Sequence, residues 1–467
     1  MLALIGTHPR CELGLSHSWF RTWTACFELP AVCAIIAAWA FVPRPCGAVA
    51  ASAGDASSPT ARAAVRIERF STAQRCHVET NGNNRRSVPT SRPLVGADRP
   101  AATLQAMANH RVTLIPGDGI GPEVAEATRL VLDAADVGIE WIEMPAGAGA
   151  LDTHGALLPD ETVDAIRACR VGIKGPITTP VGTGFRSVNV ALRLGLDLFA
   201  SVRPARSLPG VPTRHDDVDL VIVRENTEDL YQGIEFERGS EEAAALKRQL
   251  HDVGGLELVD NAGITLKPIS LTGAHRIVRF AFEYARSHRR KHITVGHKAN
   301  VMRYSDGIFL DAAIEDARDF PDIDWEEIQI DHLSSRLART PEDFDVLLLP
   351  NLYGDIISDL CAGLVGGLGL IPGANIGWEY AVFEAVHGSA PDIAGKGLAN
   401  PVAMILSGAM LLRHIGEIDA AENVEWGVDE TLRKQEVRTP DLGGTASTMA
   451  FAEAIAAEAV AWEHGPS

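Results

Sequence analysis

The sequence predicts an α/β fold on a largely parallel sheet, distinct from the Rossmann dinucleotide fold, and three observations support this. Short aliphatic or β-branched runs, "RVTLIPG", "VDLVIVREN", "KHITVGHKAN" and "FDVLLLPNL", alternate with helix-like stretches from residue 107 onward. Polar residues follow the runs directly: Arg224, Glu225 and Asn226, then His297 and Lys298, then Asn351 and Asp355, and in parallel sheets ligands sit beyond the carboxyl ends of strands. The glycine-rich "IPGDGIGPE" (115–123) fails the dinucleotide fingerprint, because Gly117-x-Gly119-x-x-Pro122 places proline where a third glycine or alanine belongs. It reads instead as a tight strand-to-helix turn with Pro122 near the first helical position.

Composition bounds the partners. The 467 residues are 46% hydrophobic and 22% charged, enough for two or three domains' worth of core. A formal net charge of −19 argues against nucleic acid or an anionic membrane as partner, since either needs a large basic face; the expected partner is a small molecule. Of seven cysteines only Cys169 and Cys361 lie beyond residue 107, and no C-x-x-C occurs, so neither a disulfide framework nor a zinc site is indicated. Residues 1–106 differ in kind, with eleven arginines, no lysine and six acids on an otherwise acidic chain. Their apolar run "AVCAIIAAWAFV" (31–42) is too short to span a bilayer, and the Pro-Arg-Pro that follows interrupts a signal-peptide pattern. The segment reads as a disordered extension, either a targeting segment or a non-native start before Met107. The expected compartment is the cytoplasm if it is dispensable and the mitochondrial matrix if it is a transit segment.

Three later segments carry chemistry or connection. In "TTPVGTGFRSVNVALRLGLDLFASVRP" (178–204), Ser187, Asn189, Arg193 and Arg203 stand close together, with Arg224 one strand later. Guanidinium forks grip carboxylates bidentately, so several arginines among hydroxyl and amide groups suit a small polycarboxylate, although any one of them alone reads as pairing with a surface acid. "GSEEAAALKRQL" (239–250) reads as a solvated connection or a short helix. "NLYGDIISDL" (351–360) puts Asp355 and Asp359 at i and i+4, on one helical face, directly after an apolar strand. A lone D-x-x-x-D is ordinarily a solvated first turn favoured by the helix dipole; delivery to a sheet edge makes this pair a candidate for holding something.

The motifs "RSVNVALR", "VRP", "RENTEDLYQGIE", "HKANVMRYSDG", "NLYGDIISDLCAGLVGGLGLIPGANIG", "FEAVHGSAPDIAGKGLANP" and "TPDLGG" follow one another in order. Through them, about residues 110–458 resemble the isocitrate/isopropylmalate dehydrogenase family of β-decarboxylating dehydrogenases acting on (2R,3S)-hydroxy acids. The resemblance implies the family's fold, two domains around a largely parallel or mixed sheet: 107–198 with 366–467 as the large domain, 199–229 with 271–365 as the small one, and 230–270 as an intersubunit clasp. It implies a homodimer or higher homo-oligomer with shared active sites. Asp355 and Asp359, with Asp331 supplied by the neighbouring subunit, match the family's ligands for a divalent cation, and carboxylate oxygens suit Mg²⁺ or Mn²⁺. Tyr231 and Lys298 match the catalytic pair, Lys298 reaching across the dimer interface. The lysine would help deprotonate the C2 hydroxyl through an aspartate relay, and the tyrosine would protonate C3 after decarboxylation. Thr179, Ser187, Asn189, Arg193, Arg203 and Arg224 match substrate-binding positions.

Specificity is implied at two places. Relatives that oxidise 3-isopropylmalate present apolar side chains where this chain has Ser187-Val188-Asn189; a hydroxyl and an amide would hydrogen-bond isocitrate's extra carboxylate instead. In "HGSAPDIAGKGLAN", NADP-preferring members place Lys-Tyr where this chain has Asp392-Ile393, and Pro440 and Gly444 stand where those members tend to have Tyr and Arg. A carboxylate at Asp392 accepts hydrogen bonds from ribose hydroxyls and repels a 2′-phosphate, so NAD⁺ is expected, with His387, Gly388, Ile393 and Asn400 lining the adenosine. The expected activity is oxidative decarboxylation of isocitrate to 2-oxoglutarate and CO₂. The alternatives are 3-isopropylmalate or homoisocitrate dehydrogenase of the same fold, or a noncatalytic regulatory subunit; the last is opposed by the presence of every catalytic, arginine and aspartate position.

Overall fold

The computed structural model describes residues 110–178 and 187–462; the basic extension 1–106 and Thr179 lie outside the described residues. Its strands are β1 (His110–Ile115), β2 (Ile139–Glu143), β3 (Val171–Lys174), β4 (Ala200–Arg206), β5 (Asp219–Glu225), β6 (Glu235–Phe236), β7 (Ile264–Thr265), β8 (His292–His297), β9 (Asp324–Gln329), β10 (Val346–Leu349), β11 (Pro372–Ile376) and β12 (Ala381–Ala385). Its helices are α1 (Gly121–Ala134), α2 (Ala148–His154), α3 (Asp160–Cys169), α4 (Val188–Gly195), α5 (Glu241–Gly254), α6 (Leu271–Ser287), α7 (Asp306–Asp316), α8 (Ile330–Leu337), α9 (Asn351–Leu364), α10 (Val402–His414), α11 (Ile418–Lys434) and α12 (Thr448–Ala461). All four apolar runs read as strands are strands, and Pro122 sits at the start of α1. Ser240, accepting from the Ala243 amide at 3.1 Å, caps α5 and makes a true helix of the polar 239–250 stretch.

Ten strands form one mixed sheet in the order β2-β1-β3-β12-β11-β4-β5-β10-β8-β9. Pairing is parallel on either flank and antiparallel only where β11 meets β12 and β4, and where β4 meets β5. The carboxyl ends of β5, β10 and β8 therefore line up on one edge, bringing Arg224, Asn351 and Lys298 to neighbouring positions. The apolar runs are continuous because these strands are covered on both faces. Val221, Val223, Val346 and Leu348 pack with Ile277 and Phe282 of α6, while the alternate residues Leu220, Ile222, Leu347 and Leu349 pack with Ile357 and Cys361 of α9. By this alternation Arg224 emerges on the α9 face. Helix α9 comes close there because residue 354 is glycine: a Cβ would lie 2.5 Å from Cγ of the fully buried Arg224.

Charge crosses the sheet at the antiparallel seam. Directly opposed residues share a face, and Lys174 opposes Glu384, Glu384 opposes Gly373, Asn375 opposes Ser201, and Ser201 opposes Arg224. Lys174, Glu384, Asn375, Arg203 and Arg224 thus rise from one side. Lys174 Nζ lies 2.6 Å from Glu384 Oε2, Arg193 Nη2 donates to Oε1 at 3.3 Å, and Asn375 Nδ2 donates to Oε1 at 2.7 Å. Burial works against the Glu384 charge, but Lys174 and Arg193 outweigh it and hold the carboxyl far below the usual range.

Two consequences are measurable. Gly354→Ala, which in an ordinary helix interior would stabilise, is expected to cost about 1–3 kcal/mol through overpacking against Arg224, read by urea unfolding. Glu384→Gln leaves two buried cations underpaired and is expected to cost about 3–5 kcal/mol at neutral pH. Because native Glu384 titrates below its unfolded value, its stabilising contribution is complete above pH ~4.3 and drains as pH falls further. Unfolding curves taken at descending pH should show a shallower acid loss for the glutamine variant, and an unchanged acid limb would refute the assignment.

Candidate active site

Arg224 and α9 form the centre of the site. The guanidinium donates from Nε and Nη2 to Asn351 Oδ1 at 3.1 and 2.7 Å, and Nη1 pairs with Asp355 Oδ1. Arg203 Nη1 donates to Ser358 Oγ at 2.5 Å and reaches Asp355 at 3.4 Å. The Tyr231 hydroxyl donates to the other Asp355 oxygen, and Arg224 lies over the Tyr231 ring, 4.9 Å from its centroid. Tyr231 is held there by the 3₁₀ turn Asp229–Gln232 that follows β5. Arg193, on α4 and only 7% exposed, completes the cluster, and its Nε is buried without a partner. So is Asn189 Oδ1, one turn earlier on the same helix, behind Ser187 at the helix cap.

The electrostatics follow from burial. Desolvation, then repulsion from Arg203 and Arg193, lowers Arg224 to about 10, and desolvation with Arg193 lowers Arg203. Asp355 goes down: burial opposes its charge, but Arg224 and Arg203 prevail. Asp359 goes up, through burial and the Asp355 charge beside it. Burial and the hydrogen bond to Asp355 raise Tyr231. The α9 pair is therefore split into one firmly ionised carboxylate and one short of positive charge.

Lys298 and Asp331 pair with each other, and within one chain neither has a hydrogen bond or ion pair to Tyr231, Asp355 or Asp359. Lys298 follows β8, where His297 Nδ1 accepts the Ala299 amide at 3.0 Å; Asp331 is exposed at the start of α8. Among the described residues no three His, Cys, Asp or Glu side chains converge on a possible metal position.

Between 387 and 400 the chain is pinned to the glycine-rich turn. The Ile120 amide donates to Ser389 O at 2.9 Å, Thr178 Oγ1 and Ser389 Oγ lie 2.7 Å apart, and the Gly397 amide donates to Glu123 Oε2 at 2.9 Å. Gly119, at φ +63°, has no room for a side chain, since a Cβ would lie 2.0 Å from Ser389 O. The glycines of 117–121 thus serve close approach of backbone to backbone. His387, whose pKa burial and Lys174 lower, has its Nε2 buried without a partner; Asn400 is held by Asp441 at 2.9 Å and by the Val402 amide; Gly388 and Asp392 are exposed and Ile393 is half-buried. Sequence reasoning missed Lys174, Glu384 and Asn375. The available signal was a lysine ending one otherwise apolar strand, "VGIK", and a glutamate next to last in another, "AVFEA".

Comparison with known proteins identifies the family. The isocitrate/isopropylmalate dehydrogenase family model matches residues 111–455. A protein of Arabidopsis thaliana, isocitrate dehydrogenase (NAD) catalytic subunit 5, mitochondrial, is 47% identical over 344 residues, covering 73% of this chain and 87% of the relative. The chloroplastic 3-isopropylmalate dehydrogenase of Solanum tuberosum is 46% identical over 323 residues, covering 69% of this chain and 85% of the relative. The crystal structure of isocitrate dehydrogenase from Methylococcus capsulatus is 48% identical, with TM-score 0.69, covering 75% of this chain and 99% of that one. On the match over residues 111–455 and identities of this size over most of its length, the chain belongs to the isocitrate/isopropylmalate dehydrogenase family of oxidoreductases.

Proposed function

We propose that the protein catalyses the NAD⁺-dependent oxidative decarboxylation of isocitrate, with a divalent cation. The observation that carries this reading is the charge imbalance of the site. Lys174, Arg193, Arg203 and Arg224 are buried together, answered by Glu384, Asp355 and the more exposed Asp359. A small anion with several carboxylates supplies the missing negative charge, and unpaired Arg193 Nε offers it a donor. The Ser187 hydroxyl and the Asn189 side-chain NH₂ can both donate to a polar third arm, which favours it over the isopropyl group of the alternative substrate. That alternative stays in view because the potato relative is nearly as similar as the plant isocitrate enzyme.

Asp355 and Asp359 fit a hard cation: both offer oxygen, and the crowding that raises Asp359 is relieved by an added positive charge. Mg²⁺ or Mn²⁺ bound there would lend Lewis-acid charge to the substrate's hydroxyl and α-carboxylate. Asp392 and the pinned loop with His387 and Asn400 fit NAD⁺, which would accept the C2 hydride. The arginines bind and orient the carboxylates. Tyr231, kept protonated by burial and Asp355, holds a proton ready for C3 once CO₂ departs.

Lys298 and Asp331 travel as a pair on one chain apart from its own Asp355, so we assign them to the site of a second copy, with Lys298 taking the C2 hydroxyl proton through an aspartate relay. The exposed Val253, Leu256 and Val259 give the 230–270 clasp an apolar surface for that copy. The division into a large domain (107–198 with 366–467) and a small one (199–229 with 271–365) is supported by apolar clusters drawn mostly from one or the other, with Leu208 packing among the large-domain helices and Ile371 in a small-domain cluster. The mitochondrial names of relatives favour the transit reading of 1–106 over the cytoplasmic one. Among the described residues no helix is long and apolar enough to cross a membrane.

Absorbance at 340 nm should show NADH formation by the purified chain with isocitrate and Mg²⁺, little with NADP⁺ or 3-isopropylmalate, and none after EDTA; equal or better turnover of 3-isopropylmalate would transfer the assignment to that acid. Tyr231→Phe and Lys298→Ala should each abolish turnover, and their mixture after subunit exchange should regain roughly a quarter of wild-type activity, because one hybrid site keeps both groups. A mixture that stays silent would place Lys298 in its own chain's site.

A further inference from the structure

We propose that Asp229 is a positioning residue that caps α9 from outside and thereby sets Tyr231 against Asp355; this rests on the roles assigned above to Tyr231, Asp355 and Asp359. Helix α9 begins behind Pro350, which offers no side-chain cap. The Leu352 amide instead donates to Asp229 Oδ2 at 2.9 Å, while Oδ1 accepts the Leu230 amide at 2.8 Å. Asp229 is 1% exposed and sits at φ +68°, where glycine would rest without strain and aspartate does so at a cost. What glycine lacks is the carboxylate, and here it meets both the unpaired amides and the positive end of the helix dipole. Lys267 Nζ stands 3.9 Å from Oδ1 and compensates the buried charge.

The consequence is geometric. The 3₁₀ turn Asp229–Gln232 touches α9 twice, one helical turn apart: Asp229 at Leu352 and Tyr231 at Asp355. Together with Arg224 on Asn351 and Asp355, and with Asn351 Nδ2 donating to Glu228 O at 3.1 Å, these two contacts set the rotation and height of the helix that presents both aspartates. Without Asp229 the Leu352 amide loses its acceptor, and the tyrosine contact is one that catalysis itself must loosen when the proton leaves.

The full-length wild type, Asp229→Gly and Asp229→Asn separate this role from simple structure. Glycine deletes the carboxylate while relieving the left-handed backbone, and asparagine tolerates the same φ and keeps one acceptor oxygen. In Asp229→Gly, hydrogen exchange in peptides covering 351–355 should quicken about 5- to 10-fold, with β5 and β10 unchanged. Mn²⁺ affinity measured by electron paramagnetic resonance should weaken about 10-fold, and kcat with isocitrate should fall ~10- to 100-fold while KM for NAD⁺ holds. Asp229→Asn should recover most of each loss. Wild-type exchange at 351–355, or a rise spread evenly over the sheet with Mn²⁺ affinity intact, overturns the proposal. A wild type that neither binds Mn²⁺ nor oxidises isocitrate overturns the functional reading instead, and exchange at 351–355 still decides the cap.

Discussion

A guanidinium with no exposed surface costs several kcal/mol to desolvate unless its donors are met, and Arg224 is such a group. Asn351 meets two of its donors and Asp355 a third. That requirement dictates the surroundings: α9 must start directly at the end of β10 so that Asn351 falls in its first turn, and position 354 must lack a side chain so that the helix can close on the arginine's stem. The same contact orients Asp355, which receives the Tyr231 hydroxyl, so that the arginine cluster, Tyr231 and the α9 carboxylate pair share one frame.

The segment after β5 shows how densely a short motif can be used. In "RENTED", Glu225 accepts the Thr227 and Glu228 amides and shapes its own turn, Asn226 bonds Leu198 O and Asn375, Glu228 accepts the Ser270 amide at the start of α6, and Asp229 reaches α9. These residues thereby tie β5 to β11, α6 and α9, and to Leu198 just ahead of β4. Substituting Arg224, Asn226, Glu228 or Asp229 removes a joint between elements as well as a side chain.

Much of this was legible beforehand. The four apolar runs announced strands because both faces of each are covered, and the arginines and aspartates were visible through residue type and spacing. The Lys174–Glu384 pair was hidden because its partners lie 210 positions apart and meet only through the β3–β12 pairing, which no local pattern encodes. The glycine-rich turn was recognisable as a turn, but the reason for Gly117 and Gly119 was not, since the obstructing atoms belong to Pro176 and Ser389. Lys298 and Asp331 illustrate a further limit: their pairing is visible in one chain, while the use proposed for them requires two.

The 387–400 loop is fastened at Ser389 and Gly397, yet Asp392 between those anchors is exposed and its side chain engages no hydrogen bond or ion pair among the described residues. A surface change there disturbs stability by no more than about 0.5 kcal/mol. On the assignments proposed above, coenzyme preference is in this sense a detachable trait that a free surface residue can exchange, and acid preference at Ser187 and Asn189 can drift while the arginines beside them stay locked into the frame that also holds the helix and the sheet.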